Sequence, residues 1–268
     1  MNFVFYSDSK YEYQVRNFLK SIPYGGMSGS NLYYYTIGFE SEIQHPNLTL
    51  IPWEKSKTLE RFEFYKPGIC LDSLRRFEGN FIFADTDIIL SRRFKNIPFN
   101  YMLDHPVFCK GPIEYPNTYW ADQSGTTVFD ETKLMRYLGV EKRSMDYIMS
   151  CFFTYNKLSI DFLEEWESLC ENKYLQKNQQ SYFPFTDETI ANVLLWKRNA
   201  TVDYDRGFVN THKFSTFKLC EDNNDVKDVC IDDNMYEQCK DSSKVYFYHG
   251  TKSEDENIKI LKYVDENS

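Results

Sequence analysis

The run Phe81-Ile82-Phe83-Ala84-Asp85-Thr86-Asp87-Ile88-Ile89-Leu90 decides how the chain is read. Its first four residues are uniformly apolar, as in a strand buried on both faces of a parallel sheet. Two aspartates one residue apart come next, then three aliphatic residues. On an extended backbone, side chains i and i+2 share a side, so Asp85 and Asp87 are expected to point together. Carboxylates in so apolar a neighbourhood are costly unless they are paired or ligating. Two hard oxygen donors at this spacing suit Mg²⁺ or Mn²⁺. Position carries this reading, not spacing. The chain has 40 acidic residues, and Asp203-Tyr204-Asp205 repeats the pattern without a long apolar run before it, reading as a turn ahead of Gly207.

Outward from this run, strand-like and helix-like stretches alternate. Asn2 to Tyr6 reads as a short strand. Tyr11, Val15, Phe18, Leu19 and Ile22 recur at helical spacing. A Gly/Ser-rich loop over 23–30 precedes a Tyr-rich strand over 32–39, and a third strand covers 48–53. Pro67 sits where a helix opens, Ile69, Leu74 and Phe77 line one face, and Gly79 closes it. Farther on, Ile148 to Tyr155 reads as a buried strand. An amphipathic helix comes after Ser159 with Phe162, Leu163, Trp166, Leu169 and Cys170, and another helix covers about 186–197. Residues 111–127 read as an aromatic loop, 220–243 as an acidic stretch, Val245 to Tyr248 as a last strand, and 253–268 as a charged tail. This alternation predicts a three-layer α/β fold with a mostly parallel sheet. Ligands bind such sheets beyond the carboxyl ends of the strands, where Tyr6-Ser7-Asp8, Phe39-Glu40 and Asp85-Thr86-Asp87 fall.

Composition narrows the function. With 31 Lys+Arg against 40 Asp+Glu, the 268-residue chain carries a formal charge of −9. That argues against nucleic acid as a partner, since phosphate neutralisation needs clustered basic residues. An anion can still be held locally or through a bridging cation. No stretch approaches the roughly 20 apolar residues of a membrane helix. Met1 to Tyr6 lacks a basic leader and reads as a strand rather than a signal peptide. Seven cysteines without close pairs suit a reducing compartment, so the expected location is cytoplasmic. Cys220, Cys230 and Cys239 are too widely spaced for a zinc knuckle and read as free thiols.

The run 81–90 resembles the Asp-x-Asp segment of nucleotide-sugar-dependent glycosyltransferases with the GT-A fold, a Rossmann-like three-layer α/β/α architecture. Other pieces are similar in the same chain order. Tyr65-Lys66-Pro67 opens a helix ahead of the motif. Ser150-Cys151-Phe152-Phe153-Thr154-Tyr155-Asn156 looks like the strand after the acceptor loop. Phe185-Thr186-Asp187-Glu188-Thr189-Ile190-Ala191-Asn192 resembles the acidic helix start of these enzymes. His249-Gly250-Thr251-Lys252 resembles the late His and Lys of glycogenin-like, retaining members, at tighter spacing, which leaves retention and inversion both open.

The resemblance implies one catalytic domain over 1–252, with a nucleotide-binding half (1–90) and an acceptor half (91–252). It implies a hexosyltransferase-type reaction from a nucleoside diphosphate sugar, UDP-sugar favoured, to a hydroxyl on a glycan, glycoprotein or other acceptor. Asp85, Asp87 and His249 are the expected Mn²⁺ or Mg²⁺ ligands, His249 equally being a plain strand-end residue. Tyr6, Ser7 and Asp8 are expected at the base and ribose, with Lys66 and Lys252 at the diphosphate beside Asp85. Asp187 and Glu188 are the expected catalytic carboxylates, although acids here also suit a helix dipole. A retaining enzyme would use them at the donor sugar; an inverting one would use Asp187 as general base. Tyr115, Tyr119, Trp120 and Asp122 offer an acceptor platform. Two alternatives stand. A phosphatase using Asp-x-Asp as nucleophile and acid/base fits poorly, since that motif normally opens the chain and Ile89 stands where Thr or Val belongs. A transferase-like domain binding sugar without turnover is the other.

Overall fold

The computed structural model describes residues 1–91, 94–97, 99, 103–110, 131–142, 147–182, 186–200, 208–210, 218–222, 225–230 and 247–249, with backbone alone at Lys110, Gln180 and from 208 onward. The first elements are β1 (Asn2–Ser7), α1 (Glu12–Ser21), β2 (Asn31–Ile37), β3 (Leu48–Trp53), α2 (Lys66–Arg76), β4 (Phe81–Ala84) and β5 (Ile88–Leu90). Next come β6 (Val107–Lys110), α3 (Thr132–Tyr137), β7 (Ile148–Tyr155), α4 (Ile160–Glu171), α5 (Lys173–Lys177), α6 (Gln179–Tyr182) and α7 (Thr186–Lys197). Four short strands close the order: β8 (Phe208–Asn210), β9 (Lys218–Asp222), β10 (Asp225–Cys230) and β11 (Phe247–His249).

Six strands are ordered β3-β2-β1-β4-β7-β6. β1 pairs with β2 and β2 with β3 in parallel, while β6 runs antiparallel to β7. A second sheet, ordered β5-β11-β8, and a β9–β10 hairpin complete the topology. By contacts the chain divides into two compact units, one of residues 1–54, 84–99 and 207–268, the other of 55–83 and 100–206. Among the described residues no helix is long and apolar enough to cross a membrane.

The first unit builds its core on β1, where all six residues are buried. Phe18 of α1 packs edge-on against Phe3 and Phe5, with ring centroids 6.0 and 5.1 Å away, and Phe5 stacks on Tyr34 of β2 at 5.4 Å. The second unit is centred on Phe153 of β7. It stacks on Phe83 at 4.9 Å and meets Phe108 at 4.8 Å and Trp166 of α4 at 5.8 Å. Among the described residues, aromatic rings thus fill the core of each unit. Helix α2 opens with Pro67 in its first turn, where the missing N–H is no loss, and ends as Phe77 turns extended. Helix α7 is buried from Thr189 to Trp196 without a polar stripe, as befits a helix covered on all sides.

The glycine loop after α1 is pressed against β5. A Cβ on Gly25 would stand 2.9 Å from Leu90 Cδ1 and 3.0 Å from Leu90 Cβ, closer than carbon atoms pack. Gly29, in the same loop, has nothing within 4 Å of that position. Gly25→Ala is therefore expected to destabilise the fold by about 1–3 kcal/mol through overpacking, and Gly29→Ala by less than ~0.5 kcal/mol. Urea unfolding of both variants checks this; equal midpoints would contradict the close approach.

Candidate active site

Strand β4 ends at Ala84, and the chain does not continue straight. The Ile88 N–H donates to the Asp85 carbonyl at 3.2 Å, closing a turn over 85–88 before β5 begins. This corrects the extended backbone expected at Asp85-Thr86-Asp87. Two constraints bend the chain, one at Thr86 and one at β5. The Thr86 hydroxyl donates to Gln14 Oε1 of α1 at 3.1 Å, and both side chains are buried. Beyond the turn, β5 leaves the large sheet to pair with β11. It is pinned at its end, where the Leu90 N–H donates to Ser21 Oγ at 3.0 Å and that hydroxyl donates to the Phe18 carbonyl at 2.7 Å. Gln14, Phe18 and Ser21 lie on one face of α1, so a single helix face carries the whole motif. Asp85 and Asp87 on either side of Thr86 remain partly exposed, with Asp87 Oδ1 itself screened from water.

The register of β11 against β5 sets His249 opposite Ile88, the residue after Asp87, and β8 sets Asn210 beside His249 on the other edge. The backbone therefore brings Asp85, Asp87 and His249 to one end of a three-stranded sheet. Their chemistry, two carboxylates and an imidazole on a neighbouring strand, fits a hard-to-borderline divalent cation. Among the described residues no three His, Cys, Asp or Glu side chains are gathered as a complete metal cage.

At the end of β1, Tyr6 and Ser7 are buried. The Ser7 hydroxyl is 2.6 Å from the Tyr34 hydroxyl, and burial pushes the Tyr34 phenol well above its ordinary range. Asp8, partly exposed, accepts from the Lys10 N–H at 3.0 Å and caps the short turn Ser9–Tyr11. Of these three, Asp8 is the residue that reaches the surface. Lys252 and the loop residues Tyr115, Tyr119, Trp120 and Asp122 lie outside the described residues.

In the second unit the structure joins two residues that the sequence assigns to separate tasks. Lys66 Nζ lies 3.1 Å from Asp187 Oδ2, and each residue is only 2% exposed. The ammonium also donates to the Ser150 carbonyl at 3.0 Å and to Ser150 Oγ at 3.2 Å, and sits 5.1 Å over the Phe83 ring. Asp187 is equally well served. Its Oδ2 accepts from Ser150 Oγ at 3.0 Å, its Oδ1 from Thr186 Oγ1 at 3.0 Å, and its carbonyl from Trp166 Nε1 at 3.1 Å. Glu188 is less buried, and its Oε2 accepts from the Ser150 N–H at 3.1 Å. Asn192, one turn on, accepts from the Ile148 N–H at 2.7 Å and donates to the Ile148 carbonyl at 3.1 Å, fixing α7 to β7.

Lys66 is thus no surface lysine at a helix start but the internal counter-ion of Asp187. Ser150 and Gln14 are site residues that sequence reading misses. Ser150 stands inside a strand that reads as pure core. Gln14 gives one clue, an amide on the face of α1 that also holds Val15 and Phe18. Thr186 has φ 51°, a left-handed backbone that a β-branched residue rarely adopts. Such strain costs roughly 1–3 kcal/mol and persists where surrounding contacts over-determine it.

No family model matches the chain, and no curated protein does. Solved structures do match. The bifunctional glycosyltransferase WbbM in its apo form aligns with a TM-score of 0.60 at 13% identity, over 100% of this chain and 51% of that one. The chain thus spans about half the length of that relative. The galactosyltransferase LgtC, solved with donor and acceptor sugar analogues, aligns with a TM-score of 0.59 at 10% identity, over 98% of this chain and 96% of that one. The likeness establishes the fold: a GT-A-type α/β architecture with a six-stranded, mostly parallel sheet.

Removing one member of a buried ion pair strands the other charge, at a cost of about 3–5 kcal/mol. Lys66→Met and Asp187→Asn are each expected to lower unfolding stability by that amount. The pair K66M/D187N is expected to lose clearly less than the two single losses combined, because no lone charge remains. Additive losses in guanidinium unfolding would show that the two charges do not depend on each other.

Proposed function

We propose that this chain is a glycosyltransferase that uses a divalent cation to hold a nucleoside diphosphate sugar, UDP-linked by preference, and transfers a hexose to a hydroxyl acceptor. The observation that carries the reading is the Asp85-Thr86-Asp87 turn. Two partly exposed aspartates follow the carboxyl end of β4, in a GT-A-type sheet where ligands bind beyond the strand ends. Fold alone does not give chemistry, and the turn supplies the chemical argument.

Asp85 and Asp87 would hold Mn²⁺ or Mg²⁺, with His249 as the candidate third ligand. A bound cation would supply neutralisation of the negative charge that grows on a departing diphosphate. Thr86 and Gln14 fix the turn, so the two carboxylates need not be ordered at the moment of binding. Asp8, at the end of β1, would meet a ribose hydroxyl, since it alone of Tyr6-Ser7-Asp8 is not buried. Glu188 is the more accessible of the two acids of α7 and would serve as its catalytic carboxylate. Asp187 has both oxygens engaged within the protein and is almost wholly buried, so it is poorly placed to take an acceptor proton. This supports a retaining outcome over inversion with Asp187 as base.

Incubation of UDP-hexoses with and without Mn²⁺ tests the proposal. Wild type is expected to release UDP only with the metal, and Asp87→Ala to lose at least ~100-fold in rate. Metal-independent phosphate release from simple monoesters would point instead to a phosphatase. Saturable UDP-sugar binding without turnover would mark a non-catalytic domain. Gln14→Leu removes the acceptor of Thr86, and losing a group that orients metal ligands in this way weakens metal affinity about tenfold. The Mn²⁺ concentration for half-maximal release is expected to rise accordingly; an unchanged value would show that the Thr86–Gln14 bond does not position the turn.

A further inference from the structure

The described residues expose five large apolar side chains: Met1, Leu50, Tyr137, Leu158 and Tyr174. The two aromatic ones flank a third tyrosine. Tyr137 of α3 and Tyr174 of α5 meet Tyr182 of α6 edge-on, with ring centroids 6.1 and 5.9 Å away and interplanar angles of 79° and 64°. Tyr137 is 50% and Tyr174 59% exposed.

Helices of four to six residues would not by themselves hold rings in place, but α5 and α6 are anchored. Asn172 caps α5 by accepting from the Leu175 N–H at 3.1 Å. Asn178 Nδ2 donates to the Tyr174 carbonyl at 2.8 Å, and Arg61 Nε donates to Gln179 Oε1 at 2.9 Å. The rings are therefore preorganised, and tyrosine loses little rotamer freedom on binding.

From this arrangement we propose that Tyr137, Tyr174 and Tyr182 form a saccharide platform that docks the glycan acceptor, a step that rests on the transferase reading. Tyrosine matches the ligand chemically. A pyranose ring has an apolar C–H face, which packs on an aromatic face, and a rim of hydroxyls, which the phenols can meet. Size favours a small occupant. Half of two tyrosines, at about 150–250 Å² each, leaves on the order of 200 Å² of open ring surface. A second copy or another protein needs about 800 Å² per partner. A patch this small covers one or two sugar rings. It lies in the same unit as Asp187 and Glu188, and Tyr182 precedes Thr186 by four residues.

Titration with lactose, maltose and N,N′-diacetylchitobiose, without nucleotide or metal, tests the platform by saturation-transfer NMR and calorimetry. At least one disaccharide is expected to bind in the millimolar range. Tyr137→Ala and Tyr174→Ala are each expected to weaken it at least fivefold. Tyr174→Phe, which keeps the ring, is expected to retain most of the affinity. Circular dichroism of each variant confirms folding. No binding of any of the three sugars at 20 mM overturns the platform, and so does binding that survives both alanine substitutions. Failure of metal-dependent UDP release by wild type counts against the transferase reading instead, so the two can fail separately.

Discussion

A strand as dry as Phe81–Ala84 cannot carry two carboxylates onward into the core, and the site depends on how the chain resolves that conflict. It turns. The turn costs one sheet its continuation and gives Ile88–Leu90 to another. It also leaves a threonine hydroxyl inside the protein, which needs an acceptor. Gln14 supplies one, and Ser21 receives the Leu90 N–H farther along. Each of these polar groups on α1 is buried, and each is explained by the turn it steadies. Gly25 belongs to the same solution, since only a residue without a side chain lets the loop after α1 come so close to Leu90.

The second unit meets the problem of buried carboxylates in the opposite way. Asp187 is not turned out to water but neutralised in place by Lys66, with Ser150 bonded to both. Desolvating such a pair is expensive, and the hydrogen bonds around it are what make it tolerable. The contrast separates the two acidic pairs by chemistry. Asp85 and Asp87 stand partly exposed, with Asp87 Oδ1 screened from water. Asp187 is almost wholly buried with both oxygens bonded, whereas Glu188 is partly exposed and bonded to the same strand through the Ser150 N–H.

Much of this was legible in the sequence, for identifiable reasons. Strands β1 to β4 and β7, and helices α1, α2, α4 and α7, emerge from apolar runs and 3.6-residue periodicity, because burial alone shapes them. The motif at the end of β4 was legible because aspartates after four apolar residues have few ordinary uses. The turn at Asp85 was not, since it depends on Gln14, 72 positions from Thr86 in the chain. Lys66 was misleading for a similar reason. A lysine before a helix-opening proline looks exposed, and only the partner at 187 and the serine at 150 show why it is buried. Tyr137, Tyr174 and Tyr182 carried no signal at all in a chain with 21 tyrosines. Their meaning lies in convergence, which periodicity within a single helix cannot express.

The strained backbone at Thr186 fits the same logic. Nothing local favours a left-handed threonine at the entry to a helix. It is held there because Asp187 is fixed on both sides, by Trp166 at its carbonyl and by Lys66 and Ser150 at its carboxylate, while Asn192 locks the next turn to β7. With the helix start fixed from outside, the chain entering it must take whatever φ closes the path, and the Thr186 hydroxyl recovers part of the cost by bonding Asp187 Oδ1. Disagreements between local preference and tertiary demand concentrate where function constrains a chain. Here they fall at the turn after β4 and at the entry to α7, the two places where the acids expected to do chemistry stand.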